Sequence, residues 1–143
     1  MLETKEQILL TRVFRFSASH RLFMEGLSDE ENFAIFDKCA NPAGHGHDYT
    51  VEVAIRGEID DETGVVINRI DFEKRAAPII EELNYKWIDR DIHFFQENIS
   101  TVENIGKYLW QKFVEIIPDK LDCIRIWENQ KSYFEYFEEK RDG

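Results

Sequence analysis

Gly44-His45-Gly46-His47-Asp48-Tyr49-Thr50-Val51-Glu52-Val53-Ala54-Ile55-Arg56 alternates along its length. Its odd positions run His47, Tyr49, Val51, Val53, Ile55, while Asp48, Thr50, Glu52 and Arg56 take the other side. A period of two marks a half-buried strand. The run Ile8, Leu10, Arg12, Phe14, Phe16, Ala18, His20 does the same on even positions, with Arg12 as its one polar break. Successive side chains of a strand point to opposite faces, so His45 and His47 project together. All three histidines lie in register with the apolar faces, and antiparallel pairing of the two strands brings His20 to meet them. Neutral imidazoles suit zinc, and three protein ligands leave a fourth position for water or substrate, the catalytic rather than the structural arrangement.

Between the two strands lies a long connection, Arg21 to Gly44, without clear period; connections of that length are functional or disordered. Within it, Ser28 starts a short helix running through Phe33 and Phe36. Strand two closes near Glu58, Asp60-Asp61-Glu62-Thr63-Gly64 turns, and Val65-Val66-Ile67 is briefly extended. Asp71 reads as the N-cap of a helix whose buried face is Phe72, Ala76, Ile79/Ile80 and Leu83, kinked or reset by Pro78. Ser100-Thr101-Val102-Glu103 reads as a capping box opening a second helix, with Val102, Ile105, Leu109, Trp110, Phe113 and Ile117 as its buried stripe and Pro118 as its stop. Two strands, about Leu121–Glu128 and Ser132–Phe137, follow around Asn129-Gln130. The predicted order is β-β-α-α-β-β, an α+β fold with an antiparallel four-stranded sheet and two helices on one face, in one domain over 1–143.

The composition excludes several classes of function. Hydrophobic content of 43% with 13% aromatics requires a packed core. A net charge of −11 argues against nucleic acid or an anionic membrane as partner, because both need a basic footprint. It leaves room for a phosphorylated small substrate. The first residues carry no apolar signal core and no window approaches a membrane span, so the expectation is a cytoplasmic protein with Cys39 and Cys123 reduced. The sequon at Asn98-Ile99-Ser100 is idle in that compartment.

Cys39 precedes Gly44-His45 closely enough to sit by a metal, where a thiolate acts as base or nucleophile; it reads equally as a small buried hydrophobe. Cys123 sits in an apolar strand and reads as core. Glu128 ends the face shared by Ile124 and Ile126, which makes it either an inward carboxylate needing a cationic or multi-donor partner or an exposed strand-end charge. The capping box accounts for Glu103, and His93 reads as a loop histidine.

Gly44-His45-Gly46-His47 followed by Glu52 resembles half of a cupin metal motif, which implies a metal dioxygenase or isomerase with Glu52 as a ligand. Glu52 has the wrong strand parity, and no second cupin stretch follows. A closer resemblance covers almost the whole chain. Phe16-Ser-Ala-Ser-His-Arg21, Lys38-Cys-Ala-Asn-Pro-Ala-Gly-His-Gly-His-Asp-Tyr49, Gly57-Glu-Ile-Asp-Asp-Glu-Thr-Gly64, Ser100-Thr-Val-Glu-Asn104 and Glu128 resemble the 6-pyruvoyltetrahydropterin synthase family, which includes the 6-carboxytetrahydropterin synthases of queuosine-type deazapurine biosynthesis.

That resemblance implies the T-fold (tunnelling fold), in which three chains close a barrel and two trimers stack into a homo-hexamer with sites at subunit boundaries. It implies Zn2+ on His20, His45 and His47, Cys39 as the proton-abstracting thiolate, and Glu128 as pterin anchor and member of the charge relay. Thr101 and Glu103 would line the pterin pocket. The implied reaction is a lyase step on 7,8-dihydroneopterin triphosphate, with triphosphate released and a 6-carboxy or 6-pyruvoyl product. The spacer from Cys39 to His45 is like that of pyruvoyl-type members and many bacterial relatives, while bacterial economy leans to the carboxy product. One departure stands out: where the family carries Leu-Asp-His, this chain reads Leu83-Asn84-Tyr85. The relay pair is replaced, Tyr85 takes the catalytic histidine's place, and His93 is a displaced candidate substitute. The implied outcomes are a slow or altered enzyme, or a zinc and pterin-binding module that turns nothing over.

Overall fold

The computed structural model describes residues 4–139; Met1-Leu2-Glu3, part of the stretch read for a signal, lie outside them. The alternating runs form β1 (Ile8–His20) and β2 (His45–Gly57). They pair antiparallel in an unbroken register from Ile8 opposite Gly57 to His20 opposite His45. Next come β3 (Lys86–Trp87), β4 (Leu121–Trp127) and β5 (Tyr133–Tyr136), in the sheet order β3-β1-β2-β4-β5. Four strands are antiparallel as expected. The fifth, β3, corrects the four-stranded expectation: it adds two residues parallel to β1 at Ala18 and Ser19, too short to carry a period of its own.

The two expected helices are α2 (Arg69–Glu81) and α5 (Val102–Ile116), numbered after α1 (Asp29–Phe36) in the long connection and α3 (Ile88–Asp91) and α4 (Phe94–Glu97) between them. The two long helices cover one sheet face. Phe72, Ala76 and Ile80 of α2 and Ile105, Leu109 and Phe113 of α5 pack with Val51, Val53, Ile55, Ile124 and Ile126 in one core. Burying such a side chain contributes about 1.5–3 kcal/mol, which is why the period-2 and period-3.6 stripes were readable. Gly106 lets α5 lie close to the sheet, since a Cβ there would stand 3.0 Å from that of Tyr136. Among the described residues no helix is long and apolar enough to cross a membrane.

Cap positions required correction. Asn68, not Asp71, caps α2: its side-chain oxygen accepts from the Asp71 N–H. Pro78 neither ends nor resets that helix, which runs on to Glu81 with Pro78 on its exposed side, where water can satisfy the carbonyl the ring leaves free. Thr101, not Ser100, caps α5 by accepting from the Asn104 N–H at 3.2 Å, so the Ser100–Glu103 box does not form and Glu103 is simply exposed. Ser100 is needed elsewhere, because its carbonyl faces His20. The capping box that does form joins Ser28 and Glu31 in α1. There the one buried residue is polar: Asn32 accepts from the Met24 N–H at 2.7 Å and donates to the Met24 and Leu27 carbonyls, ordering the loop before it. Val65–Ile67 forms no strand.

Candidate metal centre

The β1–β2 ladder places His45 across from His20, and His47 across from Ala18. His20 is 1% exposed, and its ring stands 5.1 Å from that of His47; the His45 and His47 rings are 4.5 Å apart. His20 Nδ1 lies 2.8 Å from the Ser100 carbonyl oxygen. A carbonyl only accepts, so Nδ1 carries the proton and Nε2 keeps a free lone pair. Among the described residues, that Nε2 and the Nε2 of His47 are buried with no hydrogen-bond partner. Burial pushes both imidazoles below their ordinary pKa, the Ser100 carbonyl opposing this at His20 and His45 adding to it at His47. Two neutral imidazoles with buried, unpartnered Nε2 lone pairs are the form in which histidine binds a metal.

Cys39 arrives by a different route. A 3₁₀ turn, Asp37–Ala40, carries it, and the Leu22 N–H donates to the Cys39 carbonyl at 2.6 Å, tying that turn to the end of β1. The ligand atoms of His20, Cys39 and His47 all lie within 4.8 Å of one another. His45, expected in that set, is outside it although its ring abuts that of His47. Burial raises the Cys39 thiol's pKa, and Glu128 and Asp37 raise it further. Glu128 is half-buried with its carboxylate 3.8 Å from His47 Nε2, which resolves its two readings in favour of the inward one. Tyr49 is fully buried beside these groups, with its hydroxyl unpartnered and its pKa pushed up, chiefly by burial.

A groove of about 890 Å³ includes His47, Tyr49, Trp127, Glu128, Asn84 and Tyr85 in its lining, a volume in the range of small-molecule sites. Thr101 and Glu103 do not line it. Tyr85 is 86% exposed at φ 58°, and its N–H donates to the Ser17 carbonyl, while Asn84 Oδ1 accepts from the Ser17 N–H at 3.0 Å. Together they seal one backbone unit of the β1 edge. His93 is exposed and pairs with Glu97 at 3.7 Å, outside the His20–Cys39–His47 group. Glu52 turns to the other face, where it accepts from the Trp127 indole, so the cupin ligand set does not assemble. Cys123 is buried as expected, but on the sheet face away from Ile124 and Ile126, where its thiol donates to Glu135.

Reasoning from the sequence missed Asp89. Its carboxylate accepts from the Arg21 N–H, the Trp87 indole N–H and the Ser100 hydroxyl, three segments that no periodic signal connects.

Fold and site define a small α+β protein with an imidazole and thiol cluster where two long strands end. The family model for 6-pyruvoyl tetrahydropterin synthase matches residues 9–139, and the chain belongs to that family. It is 44% identical over 129 residues to the 6-pyruvoyl tetrahydrobiopterin synthase of Poecilia reticulata, covering 89% of this chain and 88% of that protein. To the human 6-pyruvoyl tetrahydrobiopterin synthase it is 40% identical, with 91% of each chain covered. The solved 6-pyruvoyl tetrahydropterin synthase of Caenorhabditis elegans superposes with a TM-score of 0.89 at 34% identity, covering 96% of this chain and all of that one.

Proposed function

We propose that this chain acts as one domain and is a zinc-dependent lyase of 7,8-dihydroneopterin triphosphate, releasing triphosphate and a 6-substituted tetrahydropterin. The observation that carries the reading is the pair of buried, unpartnered Nε2 atoms of His20 and His47 beside the Cys39 thiol. His20, His45 and His47 would hold the zinc. Bound there, it would acidify a substrate hydroxyl and stabilise enolate-like charge. Cys39 removes a carbon-bound proton from the substrate side chain and Glu128 accepts hydrogen bonds from the amino-pyrimidine edge, while Thr101 and Glu103, outside this chain's own groove, would complete a pterin pocket only at a subunit boundary of the hexamer. Relatives that carry the pyruvoyl name at 40–44% identity favour 6-pyruvoyltetrahydropterin over the carboxy product. Asn84 and Tyr85 stand where the relay pair is expected, and Tyr85 shares the groove of His47 and Glu128, so turnover is slow or altered. The chain works in the cytoplasm as a hexamer of two trimers, which covers the open β3 and β5 edges of the sheet.

Anaerobic incubation with the substrate, followed by product mass, tests the reaction and separates pyruvoyl from carboxy products. Pterin binding without product would establish the binding-module alternative. The cluster favours a second reading of the ligand set, with Cys39 in place of His45. Metal analysis decides: Cys39→Ala retains zinc and His45→Ala loses it if the three-histidine set is right, and the reverse holds for the second set. Light scattering that finds a monomer at micromolar concentration contradicts the hexamer.

A further inference from the structure

The segment that follows α2 holds a carboxylate that borders the metal centre without joining it. Asp89 Oδ1 accepts from the Arg21 N–H at 2.8 Å, the first residue after His20, and from the Ser100 hydroxyl at 3.5 Å. Ser100 is 1% exposed, and its carbonyl is the group that holds His20 Nδ1 at 2.8 Å. One carboxylate therefore fixes both the backbone that follows His20 and the residue that orients its ring.

The other oxygen of Asp89 reaches towards the second strand. Oδ2 accepts from Trp87 Nε1 at 2.9 Å, and Arg90 stacks on the same indole, its guanidinium carbon 3.8 Å from the ring centroid. The indole packs on Gly44, which has φ +81°, and a Cβ at Gly44 would overlap the ring. Gly44 leads directly into His45-Gly46-His47. The indole thus sets where β2 begins, and Asp89 sets where the indole lies.

We propose that Asp89 is a positioning residue for the metal centre, acting on His20 through Arg21 and Ser100 and on His45 and His47 through Trp87 and Gly44. A partner one bond beyond a ligand, here the Ser100 carbonyl, sets ring orientation and tautomer, and losing one typically costs about 10–100-fold in metal affinity; Asp89 stands one residue further out, so its loss belongs at the low end of that range. The inference rests on the proposed zinc site and adds to it a residue that touches neither metal nor substrate.

The test is zinc affinity, measured on metal-free protein by competition with a chromophoric chelator and checked by the visible spectrum of the cobalt(II) form. Asp89→Asn keeps the shape but cannot accept from both the Arg21 amide and the indole, and it should weaken zinc by about 10-fold and shift the cobalt bands. Trp87→Phe keeps a ring over Gly44 without the indole donor and should weaken zinc by a smaller factor. Glu97→Gln, an exposed carboxylate on the next turn that pairs with His93, should leave zinc affinity unchanged. Unchanged zinc affinity in Asp89→Asn overturns the arm to His20, even if its metal-free form melts lower, because a purely structural role does that too. Unchanged affinity in Trp87→Phe overturns the arm to β2, and that variant decides the proposal if Asp89→Asn does not fold. Wild-type protein that binds no zinc overturns the metal reading itself, whereas tight wild-type binding with unchanged variants overturns this inference alone.

Discussion

The paired ends of β1 and β2 and the segment from Asn84 to Asp91 border the same groove, yet different forces hold them. The strand ends sit at the close of a continuous backbone ladder, so the positions of His20, His45 and His47 do not depend on their own side chains. The 84–91 segment has only two residues of ladder, at β3, and is otherwise fixed by side chains bonded to backbone: Asn84 to Ser17, Asp89 to Arg21, Asp91 to the Trp87 N–H. The difference teaches where substitution changes chemistry and where it changes shape. A ligand on the ladder can be deleted with the fold intact, while a polar side chain in the second segment is part of the fold.

The largest effect should follow from the first region. His45→Ala with His47→Ala should abolish zinc binding and turnover, while the metal-free protein keeps its circular dichroism, since the ladder bonds remain. Equal zinc in variant and wild type breaks the comparison.

Next comes the second region. A positioned general base contributes about 10²–10⁴-fold, so Asn84→Asp with Tyr85→His should raise the rate by up to that order and move its optimum towards neutral pH. The backbone accepts both residues: Asp keeps the oxygen that receives the Ser17 N–H, and His tolerates φ 58° better than most side chains. Cys39→Ala should abolish turnover in either background. Equal rates for wild type and the double variant would mean that Tyr85 or His93 already serves as relay.

A smaller effect separates the centre from the far side of the sheet by pH. Burial lowers the folded pKa of His20 and His47 below the ordinary 6.5, so the unfolded chain takes up protons there first. Stability of the metal-free protein is therefore complete above about pH 6.5 and falls as pH drops through that value. Cys123 does the opposite. Burial and Glu135 push its thiol up to about 12 from an ordinary 9.0, so its contribution is present below pH 9.0 and lost as pH rises towards 12. Urea midpoints should show an acid limb that flattens in His47→Ala and an alkaline limb that flattens in Cys123→Ala; crossed results sink the assignment.

The first region was legible because a strand's period is two: parity on two independent strands is enough to put three histidines on the inner face. The α2 and α5 core faces were readable for the same kind of reason. Caps were not, because Asn68 against Asp71 and Thr101 against Ser100 differ by a residue or three among equally good cap formers, and tertiary demand on the Ser100 carbonyl decided one of them. Asp89 was invisible because two of its three donors, Arg21 and Ser100, lie on segments that meet it only after folding. Cys39 was placed near the histidines by chain position, but its entry into the group in place of His45 depends on a 3₁₀ turn that leaves no periodic mark.

The smallest effect sharpens the contrast at one residue. Tyr85 occupies the left-handed region, φ 58°, which costs an L-residue about 1–2 kcal/mol. Its side chain is 86% exposed and recovers little of that cost by packing. Tyr85→Gly removes the steric cost and adds about 0.5–1 kcal/mol of backbone entropy to the unfolded chain, leaving a net gain of roughly 0.5–1 kcal/mol. In a chain of 143 residues that is a rise of about 2–4 °C in melting temperature. Strain kept at a groove residue is a mark of function when the side chain does something that glycine cannot. A more stable Tyr85→Gly with lower turnover places Tyr85 in the chemistry. A more stable variant with unchanged turnover makes its position a backbone device, shared with Asn84, for closing the β1 edge. A less stable variant breaks the account of this segment, because it would mean that the phenol stabilises the fold despite its exposure.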